Sequence, residues 1–275
     1  MSEEATKTVR PIGRARPPER LRRFELAPVR GVWRRELALY RRYWASTSFA
    51  SMVEPAIYQL AFGFGFGSVI GLAFGYDYRQ FVATGVVATA VLFITAFGGM
   101  FNTFIRRNFQ HAYDAILAAP VDVHELVSAE ASWLAAKAAV YGCAPLLVGL
   151  AFGLEPSWGM LLVPFIGFLT GMGFALFGMW VSAIVPSINT FDYVISGVLT
   201  PLMMVAGTFF PVDQLPDWAG AAAWANPLYH CVELIRGAVF LTLEPADLLH
   251  VLLLVVFAAG MWALATWKLR ARLID

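Results

Sequence analysis

Apolar runs of membrane-crossing length alternate with short polar breaks along most of this chain. Before the first run, Val29, Val32, Trp33, Leu37, Tyr40 and Trp44 recur at three- and four-residue steps, and Arg30, Arg34, Arg35, Arg41 and Arg42 fill the turns between them. That spacing predicts an amphipathic helix over about 26–47, lying on a membrane surface with its rings at headgroup depth and its arginines near anionic lipid. Six apolar runs follow, over about 52–74, 81–104, 130–152, 159–185, 193–210 and 247–267. Each is close to the roughly 20 residues that a helix needs to cross a ~30 Å hydrocarbon core. The predicted fold class is therefore an all-α polytopic membrane protein, with six transmembrane helices behind an N-terminal amphipathic interfacial helix. Residues 1–25 are predicted to be a disordered basic tail, and 26–275 a single membrane domain.

The first run contains FGFGFGSVIGLAFG. No Lys-Ser/Thr follows, which argues against a phosphate loop. Gly63, Gly67 and Gly71 fall four residues apart on one helix face, where small residues let a second helix approach closely.

Composition narrows the class. Of 275 residues, 59% are hydrophobic and 14% charged, against about 25% charged in a soluble domain. Twelve of the 20 Lys and Arg lie within residues 1–48. Because that head leads straight into a span, it sets topology rather than marking a nucleic-acid surface. With the N-terminus inside, only Arg79 and Arg236 are left outside, so both termini are expected in the cytoplasm. No secretory signal is visible. Cys143 and Cys231 suggest no disulfide framework or metal site.

Catalytic chemistry finds little support. His111, His124, His230 and His250 show no metal-ligand spacing with a nearby acid, and neither Gly-x-Ser-x-Gly nor a phosphate loop is present. Acids within the spans look scarce, with Glu54 and Asp192 at span edges. No proton relay is expected, so the energy for any movement must come from elsewhere. In the polar connection 105–128, YDAILAAP predicts a short helix that ends before Pro120, and Asp122 or Val123 restarts a second one. Such a helix is shaped to fit a groove on a soluble partner, and a plain surface loop is the alternative.

Several stretches together carry a resemblance: EPAIYQLAFGFGFG, YRQFVATGVVA, YDAILAAPVDVHELVSAEASWLAAKA, LTPLMMVAGTFFPVDQLPDW and NPLYHCVELIRG. Over about residues 33–268 the chain resembles the permease subunits of type-2 ATP-binding-cassette exporters. Within them it is most similar to the permeases of nodulation lipo-oligosaccharide exporters. The resemblance implies a coupling helix in the 105–128 loop that touches the ATPase, with Tyr113, Asp114, Ala115, Ile116, Leu117 and Pro120 in that role. It implies an outer re-entrant helical hairpin over 208–240, between spans five and six. There Pro211 and Pro216 break the helix, Asp213 and Asp217 face water, and Trp218 and Trp224 sit at the interface. Asn226 caps a helix opened by Pro227, and Glu233 pairs with Arg236. Phe210, Pro211, Leu215, Pro216, Asn226, Pro227, Glu233 and Arg236 would form an outer gate, with an interfacial anchor as the plainer reading.

The resemblance further implies a second permease subunit, as a homodimer, and two copies of a separately encoded ATPase that binds the ATP. This chain would hold no cofactor of its own. Membrane lipids are its surroundings, and a bacterial cytoplasmic membrane is its place. The function expected is outward movement of an amphipathic or lipid-linked substrate of lipo-oligosaccharide type. Efflux of a hydrophobic drug or antibiotic is the alternative within the same architecture. A membrane-embedded enzyme of lipid or polysaccharide synthesis and a non-transporting scaffold are the alternatives outside it.

Overall fold

A computed structural model describes residues 24–67, 72–73, 76–151, 153–212 and 216–274. The tail expected over 1–25 lies almost wholly outside the described residues, as do Gly71, Asp213 and Leu215.

Helix α1 (Leu26–Leu60) is 35 residues long and so about 52 Å. It corrects one expectation: the amphipathic stretch and the start of the first apolar run form one helix, not two. The shift from arginine-rich to apolar sequence near residue 48 changes what the helix touches. The helix runs through that shift without a break, and its one glycine, Gly31, lies near its start. After Leu60 the ladder widens to a π turn over Ala61–Phe66, where Gly63 and Gly65 lower the cost of distortion. Gly63 and Gly67 both lie against Arg79, at 3.8 Å and 3.2 Å from where a Cβ would sit. A short antiparallel pairing of β1 (Leu72–Ala73) with β2 (Tyr76–Asp77) follows.

Helix α2 (Tyr78–Asn108) is the axis of the bundle. Asp77 caps it by accepting from the Arg79 N–H at 2.9 Å. Most of its apolar window, 78%, is buried, and a π turn interrupts it at Gly98–Asn102. Then come the short α3 (Ala112–Leu117), α4 (Val123–Tyr141) and α5 (Ala144–Ala151). A 3-10 turn at Trp158–Leu162 leads into α6 (Val163–Ile184). Helix α7 (Ile188–Val205), α8 (Asp217–Trp224) and α9 (Pro227–Phe240) precede the last helix, α10 (Leu248–Leu273).

Five stretches, Tyr78–Asn108, Val123–Ala151, Trp158–Ile184, Ile188–Val205 and Pro245–Leu273, are long and apolar enough to cross a membrane. They correspond to the second through sixth predicted spans. The first predicted span falls on the end of α1 and the turn after it, and residues 68–71 lie outside the described chain.

The core joins α2, α6, α7 and α9 through Leu92, Phe174, Phe191 and Leu228. Contact between α2 and α6 is made by backbone. A Cβ on Gly99 would stand 2.3 Å from the Ala175 carbonyl oxygen, and one on Gly178 2.4 Å from that of Ala96. Only glycine permits that approach, the small-residue mode of packing in lipid. By contrast, only 11% of the apolar window of α7 is buried, so its apolar surface is left for lipid or a neighbour. Both cysteines are free thiols.

Candidate functional sites at the two ends of the bundle

At the C-terminal end of α2, Arg106 is held between two carboxylates from different helices. Its Nη1 donates to Glu130 Oε1 of α4 at 2.8 Å, and its Nη2 to Glu36 Oε2 of α1 at 2.8 Å. Arg35 Nη1 stands 3.5 Å from Glu36 and 3.8 Å from Glu130. Both acids are buried, at 5% and 3% exposure. Carboxylates so deep are tolerated only when matched in charge and hydrogen-bonded. Buried acids are more numerous than expected: Glu36, Glu125 and Glu130 are all buried, and of these Glu125 and Glu130 fall within a candidate span. The sequence did hold a signal, an acid at residue 130 amid alanines at the edge of a span. It did not show the partner, which lies 24 residues away in the chain.

The other oxygen of Glu130 accepts from the Tyr113 hydroxyl of α3. Burial, and then the Glu130 charge, push that phenol well above its ordinary range. Of the residues expected to touch a partner, Tyr113 thus points inward and fastens α3 to the bundle. Ile116 and Leu117 are half-buried and pack in the cluster around Val32 and Leu126. Asp114, Ala115 and Pro120 are exposed, together with Ala118 and Ala119. His111, in the left-handed region at φ 50°, turns the chain into α3. Beyond Pro120, Asp122 and Glu125 form a reciprocal capping box that starts α4. Glu125 also accepts from the Glu25 N–H at 2.8 Å, tying in the start of α1. Pro120 thus follows the exit from α3, and the Asp122–Glu125 pair makes the entry to α4.

The N-terminal end of α2 is built otherwise. Arg236 of α9 lies over the Phe81 ring, 3.9 Å from its centroid. It donates to the Gly207 carbonyl at 3.0 Å and to Glu233 Oε1 at 3.2 Å. Gly207 has φ +76°, a conformation that favours glycine. The next residue, Thr208, passes so close to α2 that a Cβ on Gly85 would stand 2.3 Å from its carbonyl oxygen. Asn226 caps α9 through the Leu228 N–H at 2.9 Å, and its Nδ2 donates to the Leu202 carbonyl at 2.7 Å. Pro227 is the first residue of α9, where its missing N–H costs nothing. Pro211 is buried, whereas Phe210 and Pro216 are exposed.

Two histidines that looked unrelated in sequence meet here. His230 Nδ1 and His250 Nδ1 are 2.7 Å apart, so one donates and the other accepts. His230 Nε2 lies 3.0 Å from the Trp224 carbonyl oxygen, and the Trp224 ring stacks on His250. Among the described residues, no group of three His, Cys, Asp or Glu side chains is placed to hold a metal ion.

The helices and their exposed apolar faces define a multi-pass membrane protein. The sequence profile of the family described as "ABC-2 type transporter" matches residues 29–240, and the chain belongs to that family. It is 32% identical to "Nodulation protein J" of Sinorhizobium fredii over 89% of this chain and 93% of that protein. It is 34% identical to the protein of the same name in Rhizobium leguminosarum bv. trifolii, over 88% and 93%. It is also 25% identical to "Inner membrane transport permease YadH" of Escherichia coli, over 89% and 94%. The chain is a permease subunit of the transporter type rather than an enzyme.

Proposed function

We propose that this permease is driven by a separately encoded ATP-binding-cassette ATPase that docks on the exposed face of α3. The permease pairs with a second copy and moves an amphipathic or lipid-linked molecule outward across a bacterial cytoplasmic membrane. The observation that carries the docking surface is the split in α3. Tyr113 is buried under Glu130 while Asp114, Ala115, Ala118 and Ala119 face away from the bundle. A six-residue helix cannot hold its shape alone, and the buried tyrosine supplies the missing anchorage. The outward face is small and nearly uncharged, suited to entering a groove.

The Arg106 end is then cytoplasmic, as are both termini, and the 208–240 segment with Arg236, Asn226 and Glu233 lies outside as the gate. ATP binds the partner, in two copies, and no cofactor is assigned to this chain. A lipo-oligosaccharide cargo rests on the resemblance to nodulation exporter permeases, and two of the relatives carry a nodulation name. Helix α7, the least buried of the candidate spans, offers the surface for the second permease.

The test is copurification of the ATPase with tagged permease, wild type against Ala115→Arg. The wild type should retain the ATPase and show transport-coupled hydrolysis. The variant should insert and fold but lose both. Undiminished retention by the variant removes α3 as the docking helix.

A further inference from the structure

Between α1, the end of α2 and α4 lies a cavity of ≈ 250 Å³. Its volume is below the roughly 300–1,000 Å³ of sites that enclose drug-sized ligands, so it fits a headgroup rather than a whole lipid. The rings of Tyr40, Tyr43 and Trp133 line it, with Lys137, Glu36 and Arg106. Two of its polar groups have hydrogen-bonding capacity to spare. Lys137 makes no hydrogen bond or ion pair among the described residues, although it sits within the candidate span Val123–Ala151. Glu36 is 5% exposed, and its buried Oε1 accepts no hydrogen bond, with Arg35 Nη1 3.5 Å away. Spare hydrogen-bonding capacity on ionisable side chains at this depth marks a candidate ligand site.

Charge selects the ligand. Arg35 and Arg106 offset Glu36 and Glu130 within one cluster. Lys137 leaves one positive charge over, so an anionic group is called for. Tyr43, 57% exposed, and Leu39, 45% exposed, place the rim at the surface, and aromatic rings favour headgroup depth. Basic pockets between membrane helices take lipid headgroups by the same electrostatics.

We propose that this cavity holds the headgroup of one membrane phospholipid. The phosphate meets the Lys137 ammonium, and a headgroup hydroxyl or ammonium hydrogen meets Glu36 Oε1. The site goes beyond the exporter reading and rests only on the chain's being a membrane protein. By filling the gap between α1 and α4, the lipid would act as a structural wedge where the Arg106 cluster ends.

Native mass spectrometry of the full-length permease tests this, after reconstitution with equal amounts of phosphatidylglycerol, phosphatidylethanolamine and phosphatidylcholine. The wild type should retain one phosphatidylglycerol or phosphatidylethanolamine per chain. Phosphatidylcholine, whose headgroup has no hydrogen to donate, should be retained about tenfold less, the loss of one charge-assisted hydrogen bond. Lys137→Gln should lower retention about tenfold and Lys137→Arg should restore it. Equal retention by Lys137→Gln, failure of Lys137→Arg to rescue, or equal retention of phosphatidylcholine overturns the proposal. So does displacement of the lipid by millimolar inorganic phosphate, which would mark the site as one for the free anion. Should Lys137→Gln not fold, the lipid preference of the wild type decides alone. Retention needs neither ATP nor ATPase, so failure here leaves the exporter reading standing.

Discussion

The two ends of α2 hold their arginines in opposite ways. Phe81 and Arg106 are separated by about 37 Å along the helix at 1.5 Å per residue. At the Arg106 end, one guanidinium is shared by two carboxylates that are almost fully buried, and a buried tyrosine closes the cluster. Helices α1, α2, α3 and α4 each contribute a side chain. At the other end, Arg236 rests on a ring and a backbone carbonyl, and the carboxylate it meets at 3.2 Å, Glu233, is 34% exposed. Partners of that kind are replaceable, because water or another carbonyl can take their place. One end is therefore a joint that fastens α3 to the bundle. The other is a set of contacts that a helix can leave and remake, as the proposed gate requires.

The strongest way to break this comparison is Arg106→Met. It leaves two buried carboxylates with only the more distant Arg35, at 3.5 Å and 3.8 Å, and breaking a buried pair from one side costs about 3–5 kcal/mol. Unfolding in detergent by thermal or denaturant titration should show a loss of that size, with release of α3 visible as new protease cleavage near residues 109–122. A loss no greater than that of an Arg236 variant would show that the two ends are alike.

Tyr113→Phe probes the same joint more gently. It removes one hydrogen bond to a charged group, worth about 2 kcal/mol, and should loosen ATPase coupling without preventing insertion. Its pH dependence has a defined sign. Burial, with the Glu130 charge second, raises the folded phenol above its ordinary 10.0, so the unfolded chain ionises first. That stabilisation is complete below about pH 10 and declines as pH rises towards the folded value, by about 1.4 kcal/mol per pH unit. The stability gap between wild type and variant should therefore narrow from pH 10 to pH 11. A gap that stays constant would mean the tyrosine is not held protonated by the fold.

The same contrast explains what the sequence could and could not tell. The later five spans were legible because each is a single apolar run that has to be buried or meet lipid. The limits of α3 were legible because Pro120 and Asp122 act on their own neighbours. The continuity of α1 was not, since its two halves differ in composition while belonging to one continuous helix. Nor was the Arg106 joint. Its partners lie 24 and 70 residues away, and a row of charges shows which need partners without showing which meet. His230 and His250 were read apart for the same reason: they lie on two helices whose first turns come together only in the fold.

The smallest effect belongs to Arg236→Lys, and it sharpens the comparison most. Lysine keeps the positive charge for Glu233 but loses the planar fork that serves the Gly207 carbonyl and stacks on Phe81. If replaceable partners hold this end, the cost should be about 1 kcal/mol, that of one ordinary hydrogen bond. Arg106→Lys, which removes a bidentate link between two buried carboxylates, should cost more than that under the same conditions. Because Arg236 also sets the distance between α9 and the Gly207 turn, Arg236→Lys should raise the rate of amide exchange near residues 205–212 while leaving α3 unchanged. A stability loss equal to that of Arg106→Lys, or an exchange change that spreads to 112–117, would mean that both ends belong to one rigid unit. The gate would then have to be sought elsewhere along the chain.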